Sequence, residues 1–144
     1  MKKFALIMVL ALACTMSYSQ SRNVVSAFNY LKNGKLDKAK ANIDEAINHD
    51  KTKDQAKTWF YYGNVYLNIH LSEDEKYQSL DENPLQKAYD AYMKALEIDE
   101  KEEFKLQLIK NLDICGKEFY NKAVAFFNAE QYIDAMNQFL LSKK

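Results

Sequence analysis

Beyond residue 20, apolar residues recur at steps of three and four, the spacing of one helix face. No stretch shows the sustained apolar/polar alternation of a half-buried strand. Val24, Val25, Phe28 and Leu31 mark a first stripe. Asn33-Gly34-Lys35 ends it, with Gly34 placed where helices close in the left-handed conformation. Leu36, Ala39, Ile43, Ala46 and Ile47 mark a second stripe, broken by the polar run His49-Asp50-Lys51-Thr52-Lys53-Asp54. An aromatic third runs from Ala56 to Leu71 and carries Trp59, Phe60, Tyr61, Tyr62 and Tyr66. A fourth runs from Leu85 to Ile98, with Leu85, Ala88, Tyr89, Tyr92, Ala95 and Leu96 on one side. Asn83 is placed as its N-cap and Pro84 as its first helical residue. Phe104, Leu108, Leu112, Cys115, Phe119, Ala123 and Phe126 then form one continuous stripe. It predicts a long helix in which Gly116 costs about 1 kcal/mol against Ala and marks a point of bending. Tyr132, Ala135, Met136, Phe139 and Leu140 close the series. The pattern predicts an all-α chain of helix pairs.

The first twenty residues read differently. Met1-Lys2-Lys3 is basic and Phe4 to Ala13 is apolar, too short for a spanning helix of about 20 residues. This is the layout of a secretory signal peptide over residues 1–19, with small residues around Ser17-Tyr18-Ser19 and a cut before Gln20. A competing cut lies inside the apolar run. Ala11-Leu12-Ala13-Cys14 resembles a bacterial lipoprotein box, in which Cys14 becomes a lipid anchor. The expectation is an exported protein, periplasmic or associated with the outer membrane.

Helix pairs raise the question of a repeat. Trp59, Tyr62-Gly63 and Tyr66, followed by Ala88, Tyr92, Ala95-Leu96 and the ending Leu96-Glu97-Ile98-Asp99, resemble the tetratricopeptide repeat (TPR). Glu100 stands where that family has Pro. Ala27, Tyr30, Gly34, Leu36, Ala39, Ile43, Ala46 and Ile47 fit a first unit, with Asn23 in place of the Trp. Phe119, Ala123, Phe126, Tyr132, Ala135 and Phe139 fit a third, with Ser142 in place of its last Ala. The resemblance implies a short right-handed α-solenoid of about three repeats over residues 20–144. Repeat 1 covers about 22–52. Repeat 2 covers about 55–100, with an inserted loop at 70–83, and repeat 3 covers about 102–144. The period is irregular, since Ala39, Ala88 and Ala135 are 49 and 47 residues apart rather than the usual 34. The last helix is about one turn short of a full second helix. The expectation is that more chain follows or that this end docks on something.

In that family a partner lies on the groove lined by first helices. Carried over by position, the lining is Val24, Phe28 and Leu31, then Phe60, Asn64, Leu67 and Asn68, then Tyr120, Val124, Phe127 and Asn128. Some members clamp a C-terminal carboxylate with Lys and Asn in the first unit. Val24 and Phe28 stand there instead, which suits an extended or helical peptide better. Asn64 and Asn68, one turn apart, are placed to bond a partner's backbone.

Composition narrows the picture. The 144 residues carry 20 basic and 20 acidic side chains, so nothing electrostatic favours a nucleic-acid partner. Three Gly and one Pro disfavour a turn-rich β fold. There is no Gly-rich phosphate loop, zinc-helix motif or nucleophile elbow. His49 reads as a solvated loop residue and His70 as a cation at its own helix's C-terminus. Glu73-Asp74-Glu75 with Asp81-Glu82 reads as a solvated loop. Cys115 lies in an apolar stripe and reads as packing. The expectation is no enzyme, no cofactor and no metal. The expected role is an envelope scaffold binding another protein or peptide. The alternative is an architectural subunit that assembles through its exposed repeat ends.

Overall fold

The computed structural model describes residues 22–143, so the leader expected over 1–19 and the anchor at Cys14 lie outside the described residues. Within them the chain is all-α, with seven helices and no strand. α1 spans 22–32 and α2 Leu36–Ile47. α3 is Ala56–His70, α4 Glu75–Gln78, α5 Pro84–Ile98, α6 Lys105–Asn128 and α7 Tyr132–Ser142. Neighbours in the chain pack on one another: α2 on α3, α3 on α5, α5 on α6 and α6 on α7. α1 joins through Phe28, whose ring lies 5.1 Å from that of Tyr61 in α3. It also joins through Asn23, which donates to Glu45 of α2 at 2.9 Å.

Two of the hairpins close in the same way. After α1, the Lys35 N–H donates to the Tyr30 carbonyl at 2.9 Å and the Gly34 N–H to that of Leu31 at 3.0 Å. After α6, the Gln131 N–H donates to Phe126 at 2.9 Å and the Glu130 N–H to Phe127 at 3.0 Å. This pair of bonds satisfies the last carbonyls of a helix and needs a left-handed residue between them. Gly34 supplies it at φ 67°, whereas Glu130 adopts φ 60° with a Cβ in the way. A left-handed residue with a Cβ costs about 1–2 kcal/mol, more than the roughly 0.4–1 kcal/mol that Gly adds to unfolded-chain entropy. Glu130→Gly is therefore expected to stabilise the chain by up to about 1 kcal/mol, read as a higher denaturant midpoint.

The middle pair is held closest. Tyr92 of α5 is buried and lies over Gly63 of α3, where a Cβ would sit within 3.0 Å of three ring carbons. Ala88, Ala91 and Ala95 line the same buried side of α5. The inserted segment holds α4, whose N-cap Asp74 accepts from the Lys76 N–H. Tyr77 and Leu80 pack this segment against the core, and Lys76 reaches Asp37 of α2 at 3.7 Å. Asn83 occupies the N-cap position of α5, but its side chain caps nothing. Asp81 fixes the approach to the helix, accepting from the Asn83 N–H at 3.0 Å and from Lys87 at 2.6 Å.

The corner between α5 and α6 is built on Asp99. Its buried carboxylate accepts from the Glu103 N–H at 3.0 Å and the Phe104 N–H at 2.8 Å. α6 then runs for 24 residues without interruption. Gly116 does not break it; a Cβ there would lie 3.4 Å from the Ser142 carbonyl oxygen, in ordinary contact with the end of α7. His70 stands in the last turn of α3, as expected, and makes a second contact as well. Its Nε2 lies 3.1 Å from Glu118 Oε2 and so ties the end of α3 to α6.

Candidate interaction surface

The first half of α6 lies along α3 on the side where the groove was expected. Phe104 stacks on Phe60 at 4.9 Å between centroids. Asn111 donates to Asn64 Oδ1 at 2.8 Å, and the Tyr92 hydroxyl donates to the same oxygen at 2.8 Å. The Asn64 side-chain carbonyl is thus satisfied within the chain, which leaves its amide N–H as the part it can offer a partner. Asn68 is exposed, and its amide donates to the Asn64 main-chain oxygen at 2.8 Å. Leu67 is 5 % exposed and belongs to the core, as does Val24, so both are corrected as lining residues. For Leu67 the reason is the central place of α3, which α2, α4 and α5 all touch.

Of the remaining residues, Leu31, Phe60 and Val124 are half-buried. Phe28, Tyr120, Phe127 and Asn128 are exposed. Tyr120 and Phe127 stand on the second half of α6. Tyr120 meets Phe139 edge-on at 5.6 Å, and Phe127 meets Tyr132 at 5.5 Å. These contacts carry the surface on to α7, the end that the sequence offers for docking or assembly. Phe127, Tyr132, Met136, Phe139 and Leu140 line an open apolar cleft of about 350 Å³, with Ala135 at its floor and Lys143 at its rim. Tyr132, Met136 and Leu140 are 58 %, 56 % and 56 % exposed.

The shared hairpin geometry shows what is unusual about this end. Counting from the matching turns, Tyr132, Met136 and Leu140 stand where α2 has Leu36, Lys40 and Asp44. Leu36 is 6 % exposed, covered in the stack. Lys40 lies 5.5 Å from the centroid of the Tyr66 ring, and Asp44 accepts from its hydroxyl at 2.8 Å. α7 replaces both polar partners with aliphatic ones and leaves the row uncovered among the described residues. The legible signal was that replacement, an apolar pair where the matching helix has Lys and Asp.

Titratable groups inside the stack are held neutral. Burial pushes the Tyr66 hydroxyl well above the ordinary tyrosine range, with its bonds to Tyr62 and Asp44 adding to the effect. Burial does the same to Tyr92. It also pushes the Cys115 thiol up to about 12, which keeps it a packed apolar group at neutral pH. A second cleft lies between Tyr89, Leu112, Gly116 and Leu141, with Asp113 and Lys117 paired at 2.6 Å on its edge. Among the described residues no group of three His, Cys, Asp or Glu is arranged to hold a metal ion. No described helix is long and apolar enough to cross a membrane. Comparison with protein-family models, curated proteins and solved structures finds no match to this chain.

Proposed function

We propose that this chain is a non-catalytic scaffold of tetratricopeptide type, a short right-handed α-solenoid exported to the cell envelope. In this reading it binds protein through its α6–α7 end. The observation that carries the reading is the exposed apolar cleft of Phe127, Tyr132, Met136 and Leu140. Exposed rings and aliphatic groups gathered in one place bind by leaving water. The neighbour-to-neighbour packing of the helices and the two matching turns support the repeat reading. The groove keeps Phe28 at one end and Tyr120 and Phe127 at the other. Its middle is lined by the chain's own Phe104 and Asn111, which favours the end over the groove.

The test is a pair of charges. Met136→Lys with Leu140→Lys is expected to release whatever protein co-purifies with the chain, at unchanged helical circular dichroism. Leu106→Lys, at an exposed position on the first half of α6, should release none. Full retention by the first variant overturns the reading.

A further inference from the structure

Resting on that reading, we propose that the protein taken by the α6–α7 end is a second copy of this chain, with α7 paired antiparallel on α7 about a two-fold axis. Three observations point there. First, Tyr132, Met136 and Leu140 form a row at four-residue steps, which is the pattern one helix offers another. Second, the covering helix differs in kind from α3. Lys40 lies against the ring of the α3 tyrosine and Asp44 takes its hydroxyl. Met136 and Leu140 offer neither, so the centre of the row calls for an aliphatic group and any covering ring must keep its hydroxyl at the edge of the contact. α7 fits both demands, with Met136 at the centre of its row and Tyr132 at the end.

Third, the charges at the two ends of the row are opposite. Glu130 is exposed where α7 begins, and Lys143 is exposed where it ends. Neither makes an ion pair with another described residue. Antiparallel pairing centred on Met136 brings Met136 against its own copy and Tyr132 against the copy's Leu140. In that register Glu130 lies within one residue of the copy's Lys143. A parallel pairing would set like charges together. Methionine at the axis suits a contact with itself, since its flexible thioether fits irregular gaps. Two-fold pairing uses one patch on both subunits, the commonest arrangement of soluble oligomers.

The experiment uses the full chain, with its processed subunit mass read by mass spectrometry. Light scattering after gel filtration, from about 1 to about 100 µM, is expected to give twice the subunit mass. Met136→Glu places two carboxylates at the axis and should give the subunit mass at unchanged helicity. Glu130→Lys alone, or Lys143→Glu alone, should weaken the dimer by about tenfold, because each change acts twice. The double reversal should restore it, and that rescue sets the antiparallel register apart from simple stickiness.

A benzophenone side chain in place of Ile133, exposed on the patch, separates this proposal from the reading beneath it. An adduct at twice the subunit mass supports the dimer. An adduct with a different protein overturns the dimer and leaves the end as a binding surface. No adduct in producing cells overturns both. The subunit mass at every concentration, or a Met136→Glu variant that stays dimeric, also overturns the dimer.

Discussion

Tyr92→Ala is expected to cost about 3–5 kcal/mol, the range for removing a large buried ring. That is a large share of the roughly 5–15 kcal/mol that holds a domain together. Tyr92 is fully buried, its ring presses on Gly63, and its hydroxyl bonds Asn64 on α3. The informative partner experiment is Gly63→Ala. In the native chain the new methyl meets the ring, and overpacking of this kind costs about 1–3 kcal/mol. With Tyr92 already Ala, the methyl enters empty space and helix propensity favours it by up to about 1 kcal/mol. The same substitution therefore changes sign. Denaturant unfolding of the four proteins, followed by helical circular dichroism, reads this directly. An equal cost of Gly63→Ala in both backgrounds would mean that the ring is not what excludes a side chain.

The second large effect is expected at the corner between α5 and α6. Asp99→Ala removes the acceptor of two main-chain N–H groups, of Glu103 and Phe104, at a buried site. Helix caps contribute about 0.5–2 kcal/mol, and hydrogen bonds to a charged acceptor about 1.5–3 each. The loss is expected near 2–3 kcal/mol. Asp99→Asn keeps one oxygen and should lose about half as much. Unfolding midpoints check the magnitudes, and faster amide exchange at Glu103 and Phe104 would locate the loss at the corner. A midpoint unchanged by Asp99→Ala would mean that water replaces the carboxylate without cost.

Much of this architecture is legible in the residues themselves. The stripes place six helices to within a residue or two, except that α6 starts where its first apolar residue, Phe104, leaves off. Gly34 marks its turn, and Gly63 with Ala88 and Ala95 marks the closest packing. α4 is not legible, because four residues make one turn and no stripe. Asn83 has the right type and place for a cap, yet its side chain caps nothing, and its own N–H is held by Asp81, two residues earlier. The internal bonds of Asn64 are hidden for a different reason. Its two side-chain donors come from 28 and 47 residues away, beyond the reach of any local pattern. The groove positions assumed one free side of α3, which the added turns of α6 line. The short last helix marks the end as a docking face in the sequence, and setting α7 beside α2 adds which residues stand where the matching helix has Lys40 and Asp44.

One rod serves two neighbourhoods. The first half of α6 is fastened to the body by Phe104, Asn111 and Glu118, with Leu108, Cys115 and Phe119 buried beneath it. Its last turns and the start of α7 hold chiefly to each other, through pairs such as Phe127 and Tyr132. A single hydrogen-bonded helix will therefore show two protection levels. Amides up to about Phe119 should exchange only when the whole fold opens, and those near the tip through a smaller, cheaper opening. The apolar end is then adaptable, able to reshape to what it meets while the body stays folded.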